Sequence, residues 1–170
     1  QTKAATKAIS KINGPVYLRF GRPKVPNFTS DSIDFQIGKG IKLVEGNDVT
    51  IIATGHLVWE ALEAEKELSK LGISAEVINI HTIKPLDEDI VLKSANKTKC
   101  VVSCEEHNII GGLGESISRV LVNNFLCPME FVGVNDKFGE SGTPSELMEK
   151  YGLNSKNIIE KCKKVISRKS

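Results

Sequence analysis

Apolar positions along the chain fall into two alternating kinds of block. Short β-branched runs have the continuous hydrophobicity of strands buried on both faces, and longer segments repeat apolar residues every three or four positions. "GKGIKLVEG" (38–46) predicts a short strand, and "VTIIATG" after Asp48 predicts a fully buried one. Gly55 then turns the chain into "HLVWEALEAEKELSKLG", where Val58, Ala61, Leu62, Leu68 and Leu71 share a helical face and Gly72 stops the helix. The alternation continues with a strand in "ISAEVINI" (73–80), a loop in "HTIKPL", and a helix capped by Asp87 that runs to about Ala95. "KCVVSCE" (99–105) is a strand, "GGLGESISRVLVNNF" a helix and "MEFVGVN" (129–135) the last strand. Helices in "PSELMEKYG" and "SKNIIEKCKKVIS" close the sequence.

Strands that alternate with helices of this length build parallel βαβ units with helices on both faces. The expected fold class is therefore α/β, a three-layer α/β/α sandwich around a mostly parallel five-stranded sheet. The first strand is joined to the second by the short "VEGND" turn, and is expected to be its antiparallel edge member. Residues 1–37 read differently. "TKAATKAISKI" (2–12) is an amphipathic helix with Lys3, Lys7 and Lys11 on a solvated stripe, and "GPVYLRF" (14–20) is a strand opened by a Gly-Pro turn. One helix and one strand cannot enclose a core. Residues 1–26 are thus expected to be the tail of a preceding domain, 27–37 a linker and 38–170 the compact domain. The start at Gln1, without an initiator methionine, suggests a piece of a longer polypeptide.

Composition narrows the function classes. Hydrophobic residues are 40%, charged residues 26% and the net charge only +2, which gives no pull toward nucleic acid or an anionic membrane. Residues 152–170 carry six Lys or Arg against one Glu, a polarity common on solvated terminal helices. Cys100, Cys104, Cys127 and Cys162 form no C-x-x-C pair, and His56, His81 and His107 lack zinc-ligand spacing. The cysteines read as reduced thiols of a cytoplasmic protein. No apolar stretch is long enough to span a membrane.

The candidate chemistry lies in "VVSCEEHNIIGGLGESISRVL" (101–121), where a strand runs into two acids, a histidine and a glycine cluster, then a helix. Backbone N–H groups at such a helix start can hold an anion. Gly111, Gly112 and Gly114 fit neither the dinucleotide nor the Walker spacing, and close packing of a turn explains them equally well. Glu105, Glu106 and His107 end a strand on the side where open α/β sheets place ligands. Neighbours on a strand point to opposite faces, however, so the two carboxylates are not expected to share a proton. His81 and Lys84 in "HTIKPLD" read as a loop that fixes the next helix.

"GPVYLRFGRPKVP", "IATGHLVWEALEAEKELSKLGISAEVINIHTIKPLD", "EEHNIIGGLGESIS" and "GTPSELMEKYGL", in this order, resemble the C-terminal portion of transketolases, particularly the C-terminal subunit of those made as two polypeptides. The 1-deoxyxylulose-5-phosphate synthases and 2-oxoacid dehydrogenase beta subunits share the architecture, but the E-x-H before G-G-x-G-E favours transketolase. The resemblance implies ketol transfer between sugar phosphates, with thiamine diphosphate and Mg bound by regions missing here. It also implies an N-terminal transketolase polypeptide or domains as partner, a homodimer of the intact enzyme, and neither nucleic acid nor membrane as partner. Residues 1–26 then resemble the end of the pyrimidine-binding domain, and no catalytic, cofactor or metal residue is expected in this chain. One substrate residue is implied: the family's sugar-phosphate arginine maps onto Arg22 of "GRPKVP", with Arg19 as the competing position. The resemblance makes Glu105, His107, Gly111, Gly112 and Gly114 a structural turn or part of an interface. The rival reading is a non-catalytic assembly or regulatory module.

Overall fold

A computed structural model of the chain describes residues 1–21, 24–29 and 35–169. Its elements are α1 (Thr2–Ile9), β1 (Ile41–Val44), β2 (Val49–Ala53), α2 (Leu57–Lys70), β3 (Ala75–Asn79), α3 (Glu88–Thr98), β4 (Val101–Asn108), α4 (Leu113–Asn124), β5 (Met129–Val134), α5 (Pro144–Lys150) and α6 (Ser155–Ile166). The sheet order is β1-β3-β2-β4-β5, with β1 antiparallel to β3 and every other pair parallel. The antiparallel edge strand is as expected, but it lies beside β3 rather than beside its sequence neighbour β2.

Strand periodicity sends alternate side chains to the two helical layers. Ile51, Val77 and Val102 face α2 and α6, in a core with Leu57, Ala61, Leu68, Ile158 and Cys162. Ile52, Ile78 and Val101 face α3 and α4, in a core with Val91, Ala95, Ile117 and Val120. Every residue of β2 and β3 is buried, which accounts for their nearly continuous apolar runs. Glu76 of β3 is an exception to that apolarity. It is wholly buried and is neutralised by Lys97 of α3 and by Lys42 of β1 at 3.3 Å.

The predicted strand over 14–20 does not form. Residues 15–20 have no ladder partner among the described residues, and Tyr17 and Phe20 are left 88% and 66% exposed. A strand needs a neighbour for its backbone hydrogen bonds, and the five-stranded sheet offers this segment none. The preceding helix forms, although it ends at Ile9 rather than residue 12.

At the far edge, α6 is tied to β5 through one carboxylate. Glu130 accepts hydrogen bonds from Lys161 at 3.1 Å, Lys164 at 3.0 Å and Arg168 at 2.6 Å. Burial alone would raise its pKa, but the hydrogen bonds from Lys164 and Lys161 outweigh burial and hold it below the ordinary 4.5. A carboxylate depressed in the folded state stabilises above its unfolded pKa, and that contribution is lost as pH falls through the folded value. Urea unfolding across acid pH should show stability falling below about pH 4.5. Glu130→Gln should lower stability at neutral pH and flatten that acid limb.

Candidate functional site

In this sheet the chain leaves β2 toward β3 on one side and later returns to β4 on the other. The loops after β2 and β4 therefore diverge at their C-terminal ends, which is where open α/β sheets form their ligand crevice. A cleft of about 470 Å³ lies there, lined by His56, Trp59, Glu60, Glu106, Met148 and Tyr151 among others. His56 is the N-cap residue of α2 and Glu106 lies near the end of β4. Nδ1 of His56 stands 3.4 Å from Oε2 of Glu106, so the pair spans the crevice. Glu60 is engaged by the backbone N–H of Ser155 at 2.8 Å, which ties α2 to the start of α6. Phe28 rests near Trp59, with ring centroids 6.5 Å apart, and brings the N-terminal segment to the same edge.

Glu105 points the other way. Its carboxylate is 3% exposed and accepts the backbone N–H groups of Leu113 at 2.7 Å and Gly114 at 2.9 Å. These are free donors of the first turn of α4, so the chain's own carboxylate occupies the place an external anion would take. Gly112 makes the approach feasible: a Cβ there would lie 2.1 Å from Oε2 of Glu105. Gly114 lies against Phe131 and Ser103, whereas Gly111 turns the chain with φ +77°. His107 is largely exposed, with Nδ1 2.8 Å from the Asn108 carbonyl oxygen and 4.0 Å from Oε2 of Glu105.

Of the other candidates, Arg19, His81 and Lys84 do not line the cleft. Arg22 lies outside the described residues, and Arg19 is exposed. His81 is stacked on Phe35 with centroids 4.2 Å apart, and burial lowers its pKa. Lys84 is exposed. Sequence reasoning passed over His56, which it treated as one of three scattered histidines. The available signal was positional, because "ATGH" ends the strand on one side of the crevice that Glu106 borders on the other.

The residues present do not fit a diphosphate with its metal. The α4 N-terminus is filled by Glu105, and the described residues contain no group of three or more His, Cys, Asp or Glu able to hold a metal ion. Nor do the cysteines offer nucleophiles. Burial pushes the Cys100 thiol up to about 11, raises that of Cys127, and drives Cys104 and Cys162 well above the ordinary range. All four are free.

The sequence profile described as "Transketolase, C-terminal domain" matches residues 38–158. The chain belongs to the transketolase C-terminal domain family. It is 46% identical over 170 residues to the 6-deoxy-6-sulfo-D-fructose transketolase subunit of Clostridium sp. (strain MSTE9), a match covering 100% of this chain and 53% of that relative. Over 151 residues it is 36% identical to the 1-deoxy-D-xylulose-5-phosphate synthase of Heliobacterium modesticaldum, covering 87% of this chain and 23% of that protein. Its fold superposes with a TM-score of 0.93 on a solved chain described as "Split gene transketolase, inactive beta4 tetramer", at 44% identity, covering 98% of this chain and 56% of that one. The chain thus spans about half the length of the transketolase subunit and of the solved chain that it matches.

Two measurements check this geometry. Gly112→Ala forces a methyl group into the Glu105 carboxylate and should cost about 1–3 kcal/mol in urea unfolding. Glu105→Ala strands two buried N–H groups and should cost about 2–4 kcal/mol. Native protein at about pH 8 should react slowly with iodoacetamide at all four thiols, with full labelling only after denaturation.

Proposed function

We propose that this chain is the C-terminal part of a transketolase that moves a two-carbon ketol unit between sugar phosphates, as in the pentose phosphate pathway. The reading is carried by the match of residues 38–158 to the transketolase C-terminal domain family together with the likeness to a split-gene transketolase chain. In this proposal thiamine diphosphate and Mg are held by an N-terminal polypeptide, the intact enzyme is a cytoplasmic homodimer, and this chain alone is inactive. No helix among the described residues is long and apolar enough to cross a membrane.

Residues 1–26 are proposed as the end of the pyrimidine-binding domain, 27–37 as a linker and 38–170 as the C-terminal domain. Tyr17 and Phe20 support this division, because a strand-like segment exposing both rings is what remains when its sheet lies in another part of the protein. The turn at 107–111 is proposed to meet the partner subunit, and the 58% exposure of Ile110 supports that role.

Arg22 is proposed to bind the terminal oxyanion of the substrate. A guanidinium offers paired, permanently charged donors to phosphate. It would serve a sulfonate equally well, the group named in the sulfofructose transketolase of Clostridium.

Reconstitution with the N-terminal polypeptide, thiamine diphosphate and Mg tests the reading. Ketol transfer from xylulose 5-phosphate to ribose 5-phosphate is expected from the pair and not from this chain alone. Turnover of pyruvate with glyceraldehyde 3-phosphate instead would place the enzyme with the deoxyxylulose phosphate synthases. In the active pair, Arg22→Ala should raise KM for phosphorylated sugars by about 10- to 100-fold, and far less for unphosphorylated ones.

A further inference from the structure

The cleft beyond the ends of β2 and β4 combines apolar walls with a one-sided charge. Trp59, Met148, Tyr151 and Leu153 are among its walls, and its volume of about 470 Å³ suits a small molecule. The described residues that line it include the carboxylates Glu60 and Glu106 but no Lys or Arg. Glu106 is 35% exposed. Among the described residues the one basic group within 4 Å of it is the His56 imidazole, at 3.4 Å, which carries charge only when protonated. Lys66 lies 5.3 Å from the Trp59 ring centroid, but its ammonium is paired with Glu63 at 2.7 Å and it does not line the cleft.

The helix starts around the cleft offer little to an anion. At α6 the backbone N–H of Ser155 is taken by Glu60 at 2.8 Å, and ahead of α5 that of Thr143 is taken by Glu146 at 2.9 Å. At α2 the N–H groups of Val58 and Trp59 donate to the carbonyls of Gly55 and His56. A sugar phosphate entering here would therefore meet two carboxylates and no Lys or Arg. A cation would meet an accessible carboxylate beside the rings of Trp59 and Tyr151, whose faces attract positive charge.

We propose that this cleft binds a small organic ammonium ion, an amine carried on an apolar body, with Glu106 as its counter-ion and Trp59, Met148 and Tyr151 around the apolar part. Such a ligand is opposite in charge to the sugar phosphates of the ketol-transfer reading, so the site is separate from the proposed substrate site and does not depend on that reading. Apolar contact supplies the affinity, and the carboxylate supplies the discrimination by charge.

The test titrates this chain with benzylammonium and follows the emission of Trp59, its single tryptophan. Benzyl alcohol and benzoate, with the same ring but neutral or negative heads, are the comparisons. Benzylammonium should give a saturable change, with benzyl alcohol binding about three- to tenfold more weakly and benzoate more weakly still. Added salt should weaken the ammonium and leave the alcohol unchanged. Glu106→Gln, which keeps the side-chain shape, should bring the affinity for benzylammonium down to that for the alcohol. Exposed Ser145 lines the same cleft, so Ser145→Lys places an ammonium of the chain's own there and should weaken benzylammonium at least as much. The proposal is overturned if the alcohol or benzoate binds as tightly as benzylammonium, or if no saturable change occurs. It is equally overturned if both variants, folded by circular dichroism, bind benzylammonium as the parent chain does.

Discussion

The carboxylate of Glu105 sets the geometry of the sheet's C-terminal edge. A helix start leaves backbone N–H groups without partners, and a buried start must find them some. Here β4 supplies the partner from its own last buried residue, at 2.7 and 2.9 Å from two consecutive donors. The bond fixes how far β4 extends before the chain turns, and so where Glu106 and His107 emerge. It also explains why the glycines crowd at this point, since the carboxylate can reach the helix only if residue 112 has no side chain.

From that fixed point the two faces of the sheet divide the work. Glu105 leaves β4 toward α4 and is consumed in holding the fold together. Glu106 leaves on the opposite face, toward α2, and meets His56 across the switch point. Adjacent acids of the same type thus have unrelated roles, decided by strand alternation rather than by their own chemistry. The same division appears in the buried carboxylates Glu76 and Glu130, which are both surrounded by lysines and serve to pin β1 with α3, and β5 with α6.

Most of the architecture was legible in the sequence because it depends on local periodicity. The run Val49–Ala53 is wholly apolar apart from Thr50, and the spacing in Leu57–Lys70 is helical, so both elements follow from short windows. The strand expected over 14–20 failed for a non-local reason: its pattern is that of a strand, but strand formation requires a partner that none of the described residues provides. His56 was missed for a related reason. Nothing in "TGH" alone marks it, and its place in the cleft comes from two loops that the sheet order brings together. Glu76 was equally opaque, since a buried acid in a strand becomes intelligible only when Lys42 and Lys97 are seen to converge on it.

Trp59 is the only tryptophan in the chain, and it lines the cleft beside Phe28 with the Lys66 ammonium 5.3 Å from its ring centroid. Indole emission reports polarity and nearby charge, so the protein carries a single label-free indole sensor at the cleft. Docking of another polypeptide there, or withdrawal of the segment bearing Phe28, would change the surroundings of that one ring. A binding event at this edge can therefore be followed by the native fluorescence of one indole, with any emission from the binding partner recorded separately.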